Sequence, residues 1–166
     1  MASEAVTDTG PVIHLTEVKA VKSFRVFSRA FVPLAVREEF EKLGALPDFL
    51  VAVNLSPREK QLAVLFSAKY KLGLGESEAI ILAKRLKAVF LTDDLQARIM
   101  AQAHGIETHG TIGLLLRAFR ESLLTEKQVI TALEALLEKS TIFVTVRLVQ
   151  EAKKAVQDYS EKRGQR

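Results

Sequence analysis

The chain has 166 residues, 48% of them hydrophobic and 27% charged, which is enough length and apolar content for one folded domain with a real core and excludes a disordered chain. It contains no cysteine, so a disulfide framework, a thiolate zinc site and a cysteine nucleophile are all excluded. The formal net charge of +4 is mildly favourable for a polyanionic partner without requiring one.

The first residues, MASEAVTDTGP, lack the basic and apolar regions of a signal peptide. No apolar run approaches the roughly 20 residues of a membrane span, so a cytoplasmic protein with no membrane partner is expected. Ala5-Val6-Thr7-Asp8 reads as a short strand ending in an acid. Thr9-Gly10-Pro11 turns the chain, with Pro11 suited to the first turn of a helix over Val12–Val18. Asp8 thus stands where a strand gives way to a helix, a place where an acid can cap the helix or serve a site.

Val21, Phe24, Phe27, Ala30 and Phe31 recur at helical spacing and read as core. Phe31-Val32-Pro33 reads as an extended link, because a residue before proline avoids the helical region. Leu34 to Leu43 is the next expected helix, with Val36, Phe40 and Leu43 on one face. Glu39 falls at the border of that face, and Glu38 points away from it. Phe49–Leu55 reads as a strand. Ser56-Pro57-Arg58-Glu59 then carries the signature of a capping box and opens a helix running to about Leu72.

Gly73-Leu74-Gly75-Glu76 resembles a phosphate loop only superficially. No strand precedes it and a third glycine is missing, so it reads as a flexible start to a helix. That helix buries Ala79, Leu82, Ala83 and Leu86, with Glu76 near one flank of the stripe and Glu78 near the other. Acids in a first turn also oppose the helix dipole, which is reason enough for both.

Ala88-Val89-Phe90-Leu91 is a continuous apolar run, too short for a helix, and reads as a strand buried on both faces. Asp93 and Asp94 follow at its carboxyl end, and either can cap a helix over Leu95–His104 that Gly105 stops. Ile106–Thr108 reads as a short strand. Thr111 reads as the cap of a helix over Ile112–Arg120, and Thr125 with Gln128 forms a second capping box for a helix to Lys139. Thr141–Val146 is rich in β-formers. From Arg147 the chain reads as a helix that frays into a disordered basic end, EKRGQR, where nucleic-acid contact is open. The histidines are dispersed, with no metal-ligand spacing, and no nucleophile elbow exists.

Strand–helix repeats of this kind predict an α/β fold whose strand carboxyl ends share one edge. That edge would gather Asp8, Glu39, Glu76, Glu78, Asp93 and Asp94. Packed carboxylates cannot all stay ionised without countercharge, and a hard divalent cation with oxygen ligands supplies it.

Asp8-Thr-Gly-Pro11, Pro33-Leu-Ala-Val36-Arg-Glu-Glu39, Gly75-Glu76-Ser-Glu78-Ala-Ile80, Asp93-Asp94-Leu-Gln-Ala-Arg98 and Gly110-Thr-Ile-Gly113, five motifs in order, resemble PIN-domain proteins. They are most similar to the DUF3368 group, a relative of VapC-like toxin nucleases. The resemblance covers roughly Val6 to Arg120 and extends to the tail. It implies a PIN-like (Rossmann-like) three-layer α/β fold, a central, mostly parallel sheet flanked by helices, as a single domain over residues 1–166. The core would span about 5–120, a helical extension about 121–160 and the basic tail 161–166.

The resemblance further implies a Mg²⁺- or Mn²⁺-dependent endoribonuclease acting on an RNA substrate. Asp8, Glu39 and Asp93 would be its catalytic metal ligands, with Glu76, Glu78 and Asp94 as further metal-binding candidates. Whether Glu76 or Glu78 is the ligand is open. Thr111, Arg98 and Arg37 are the candidate substrate contacts, a small antitoxin is an implied partner, and the family often dimerises. Gly10 departs from the group's usual serine, which removes a hydroxyl from the first turn. The competing reading is a non-catalytic PIN-like binding or interaction protein. A phospho-acceptor receiver needs an acid pair after the first strand, where only Asp8 stands, and nucleotide binding through the Gly73 loop fails on context.

Overall fold

The computed structural model describes residues 3–164. The order is β1 (Ala5–Thr7), α1 (Thr9–Glu17), a 3-10 turn (Val21–Val26), β2 (Ala30–Pro33), α2 (Leu34–Glu41), β3 (Leu50–Val53), α3 (Pro57–Tyr70), α4 (Leu74–Leu86), β4 (Val89–Leu91), α5 (Leu95–Ala103), β5 (Thr108–His109), α6 (Thr111–Arg120), α7 (Glu126–Glu138) and α8 (Val146–Gly164). The chain forms two compact units. One holds the segment through Pro11 and Phe27–His109; the other holds Val12–Val26 and the chain from Gly110 onward.

The first unit is built on a five-stranded sheet in the order β3-β2-β1-β4-β5, with every pairing parallel. β1 and β4 lie side by side at its centre and are buried along their whole length. This is why each reads as an unbroken apolar run instead of an alternating one. The expected extended link at Phe31-Val32-Pro33 is in fact the end of β2, which pairs with both β1 and β3. Proline is tolerated there because it closes the strand. The sheet takes Ala30 and Phe31 out of the helical pattern, so only a 3-10 turn forms before them.

α4 is the central helix of this unit. It packs against α2, α3, α5 and strands β1, β2 and β4. Ala79, Leu82 and Ala83 are fully buried as their spacing predicts, Ile80 joins them, and Leu86 is half-buried. Gly75 belongs to the first turn of α4 and is not part of a flexible approach to it. A Cβ there would stand 3.2 Å from Val36 Cγ2 and 3.6 Å from Glu39 Oε2, so the missing side chain lets α2 lie close to α4. α3 opens as expected: Ser56 and Glu59 exchange side-chain and backbone hydrogen bonds, with Pro57 in the first position.

In the second unit, α6 packs against α7, α8 and the 3-10 turn, and α7 packs along α8. Leu114, Leu115, Val129, Leu133, Leu136 and Val156 are buried. Thr125 and Gln128 form the second capping box. Two expectations change here. Gly110, not Thr111, occupies the N-cap of α6, and Thr111 is its first, fully buried residue. The β-prone stretch Thr141–Val146 forms no strand: Thr141 N–H and Oγ1 both donate to Glu17, and Ile142 N–H donates to Ser140 Oγ. The backbone donors a ladder would need are spent on side chains. Of the tail expected to be disordered, Glu161–Gly164 continues α8, and Gln165 and Arg166 lie outside the described residues.

Leu82→Ala removes a fully buried side chain from α4 and is expected to cost about 2–5 kcal/mol of stability. Urea unfolding followed by circular dichroism should show a lower midpoint with an unchanged slope.

Candidate active site

Strand order reverses between β1 and β4, each of which is followed by an acid. In open parallel sheets the crevice at such a switch point is where ligands bind. Asp8 follows β1, and Thr92, Asp93 and Asp94 follow β4. The pairing of Thr7 with Leu91 puts these two strand ends level, so the acids become neighbours through register.

Asp8 is only 6% exposed. Its Oδ1 accepts the Gly10 N–H at 3.2 Å, and its Oδ2 accepts a short hydrogen bond from the Thr92 hydroxyl. Its pKa is nonetheless raised well above the usual carboxylate value. Burial is the main cause, and the negative charges of Asp93 and Glu76 add to it against the Thr92 and Gly10 donors. Glu76 is raised in the same direction, first by burial and then by Asp94 and Glu39, while the Gly73 N–H, donating at 2.7 Å, works against the shift. Glu39, expected at the border of the buried face of α2, is exposed, and its Oε2 accepts from the Thr9 hydroxyl at 2.9 Å.

Asp8, Asp93, Glu76, Asp94 and Glu39 therefore form one connected set of mutually repelling carboxylates. Glu78 lies outside it. It is buried, its carboxylate accepts the Ala35 N–H, and the charges it feels are those of Lys60 and Glu38; burial still raises its pKa. The N-cap of α2 is Pro33, whose ring carries no hydrogen-bond acceptor, so Glu78 supplies that cap from α4. Asp94 is the N-cap of α5, accepting the Ala97 N–H at 2.6 Å.

The candidate substrate contacts are differently placed. Arg98 is half-buried and donates from Nη2 to the Thr92 carbonyl at 3.0 Å. Arg37 is exposed and paired with Glu41 one turn along α2. Thr111 belongs to the second unit. Two residues that the sequence reading missed are Thr9 and Thr92. The only signal for them was a hydroxyl directly beside an acid at a strand end, after Asp8 in one case and before Asp93 in the other.

Among the described residues, no basic side chain forms an ion pair with Asp8, Glu39, Glu76 or Asp94. The carboxylate oxygens of these four side chains suit a hard cation such as Mg²⁺ or Mn²⁺, not zinc. Also among the described residues, no group of three or more acidic, histidine or cysteine side chains is disposed to hold a metal ion. The carboxylates are thus neighbours in electric field and not a closed cage. That arrangement fits a cation bound through one or two carboxylates and otherwise by water.

The model of the DUF3368 family, described as a PIN domain, matches residues 4–158. The chain belongs to this PIN-domain family. No curated protein and no solved structure matches it. PIN domains are generally nucleases and typically use divalent metals, and the matched span includes every acid of the set. No helix among the described residues of this PIN domain is long and apolar enough to cross a membrane.

Raising a buried acid's pKa costs stability once pH exceeds its ordinary value, because the unfolded chain then releases a proton that the folded chain retains. Asp8→Asn, which keeps an oxygen acceptor, is expected to melt several degrees above wild type in chelator at neutral pH. The gap should narrow as pH falls towards the ordinary carboxylate value of about 3.9 and close below it, where Asp8 is protonated in both states. Equal melting temperatures at neutral pH would contradict the assigned cost.

Proposed function

We propose that this PIN domain is a Mg²⁺- or Mn²⁺-dependent endoribonuclease, working as the toxin of a toxin–antitoxin pair. The observation that carries the reading is the buried Asp8 at the switch point, facing Asp93 and Glu76 with no cationic side chain among the described residues in an ion pair with it. The family match, which runs through both units and supports one PIN-like domain, points the same way.

In this reading Asp8, Glu39 and Asp93 hold the metal. Glu76 is favoured over Glu78, because Glu76 shares the field of the other acids while Glu78 caps α2. Asp94 begins α5 as its N-cap and would hold the metal directly or through water. A bound Mg²⁺ or Mn²⁺ would lower the pKa of water and neutralise charge on the scissile phosphate. Asp8 and Glu39, each with one oxygen held by a threonine hydroxyl, would orient that water. Hydrolysis leaves 3′-hydroxyl and 5′-phosphate ends. Arg98 and Arg37 supply positive charge for the RNA backbone, Thr111 is a contact assigned by motif position, and a small antitoxin would act by covering the acids.

A second reading has its own support. Glu76, Glu78 and Asp94 all have helix-capping work, and no three acids are disposed to hold a metal, as a non-catalytic PIN-like RNA-binding or interaction protein would allow.

Cleavage of a mixed RNA substrate with Mn²⁺ separates the two. Wild type is expected to cut, and Asp8→Asn to fall to the level of buffer while remaining folded. Equal cleavage by both proteins would reject this site. Wild type that binds RNA without cutting it at millimolar Mn²⁺ would favour the second reading.

A further inference from the structure

A cleft lies at the amino ends of β4 and β5, while the acids follow the carboxyl ends of β1 and β4. Its volume is about 290 Å³, and all of its lining residues belong to the first unit. Small-molecule sites are of this kind: concave, mostly apolar, with a few placed polar groups. The apolar wall is made by Ala88 and Val89 at the start of β4 and by Ile106 ahead of β5, all three buried.

Lys84 and Lys87 also line the cleft, one in the last turn of α4 and one at its C-cap. Cations at a helix C-terminus favour its dipole, which accounts for a lysine here but does not occupy it. Backbone donors already close the helix. The Ala83 carbonyl accepts the Lys87 and Ala88 N–H groups, and the Lys84 carbonyl accepts the Lys87 N–H as well. Their neighbour Arg85 is paired with Glu59 at 2.9 Å. Among the described residues, neither Lys84 nor Lys87 forms an ion pair. Two ammonium groups therefore stand beside an apolar wall with their charge uncommitted.

His104 lines the same cleft and is held in place. Its Nδ1 donates to the Met100 carbonyl at 2.8 Å, since a carbonyl can only accept. Its ring meets the Phe66 ring at 5.2 Å and the Tyr70 ring at 6.1 Å between centroids. The neutral ring then keeps Nε2 as an acceptor for a hydroxyl or amino group. Glu107, the one acid among the lining residues, has its Oε1 at 2.8 Å from Nε2 of His109, which does not line the cleft.

We propose that this cleft is a second binding site, separate from the acidic edge, and that it takes a nucleoside monophosphate. The base lies against Ala88, Val89 and Ile106, and the phosphate is held by Lys84 and Lys87. A bare phosphate leaves the apolar wall uncovered and a bare nucleoside leaves the lysines unanswered, so affinity needs both halves. A free nucleotide and the phosphorylated end of an RNA strand carry this same chemistry. The assignment is independent of the metal-site reading, because no acid of that set lines the cleft.

The test is NMR titration of the metal-free protein, in chelator, with AMP, adenosine, inorganic phosphate and a 5′-phosphorylated adenosine trinucleotide in separate runs. Amide shifts show where each one binds. Lys84→Gln and Lys87→Gly are made singly and together; both positions are exposed, and glycine suits the left-handed backbone at Lys87, where φ is 52°. Wild type at raised salt reads the same two charges with no substitution at all. Support would be saturable AMP binding that shifts the Val89, Gly105 and Ile106 amides and is tighter than that of adenosine or phosphate. It should weaken about tenfold or more in the double variant, and weaken with salt in wild type. Trinucleotide binding at the same amides as tight as AMP would support a strand end as the ligand, and weaker binding would support the free nucleotide. The proposal is overturned if AMP fails to saturate by a concentration on the order of 10 mM, or if adenosine or phosphate binds as tightly. AMP shifts centred on Asp8 and Asp93, salt-independent binding, or wild-type affinity in the folded lysine variants would overturn it as well, and none of these results bears on metal binding by the acids.

Discussion

The structure of the site turns on an unfavourable burial. Asp8 sits at the end of a central strand with its carboxyl group almost wholly out of water, beside other acids. Such a group is tolerated when hydrogen bonds hold it or when something outside the chain completes it. Two donors, the Thr92 hydroxyl and the Gly10 N–H, do the first part and leave its pKa still raised. The sheet makes this position unavoidable: β1 and β4 must be buried on both faces, and their carboxyl ends are level, so whatever follows them meets at the switch point.

Much of this was legible in the sequence because it depends on local pattern. Ala88–Leu91 announces a doubly buried strand by its unbroken apolar run, and Ser56-Pro57-Arg58-Glu59 announces a helix start by chemistry that needs only neighbours. Phe31-Val32-Pro33 reads as an extended link because a residue before proline avoids the helical region, and that extended segment proves to be the end of β2. Thr141–Val146 has the composition of a strand, but Glu17, more than a hundred residues earlier, takes its donors. The threonine partners of the acids were hidden for the same reason. Thr92 reaches Asp8 across 84 residues and Thr9 reaches Glu39 across 30, and no periodicity encodes such pairs.

The acids also show how capping and ligation coexist. Glu76 holds the Gly73 N–H, Asp94 the Ala97 N–H and Glu78 the Ala35 N–H. A carboxylate has two oxygens and several lone pairs, so one capping bond leaves acceptor capacity unused. What separates the three is the direction of their remaining field. Glu76 looks towards Asp94 and Glu39, whereas Glu78 looks towards Lys60 and the start of α2. The proposed site takes Glu76 of the two glutamates because it repels Asp94 and Glu39, whereas Glu78 repels Glu38 and is offset by Lys60.

The most direct measurement is anomalous difference density from crystals soaked in Mn²⁺. The account predicts a peak within about 2.1 Å of an Asp8 carboxylate oxygen, the distance a hard divalent cation keeps from its oxygen ligands. Ordered crystals with full diffraction and no peak at Asp8, or with manganese bound only elsewhere, would contradict it.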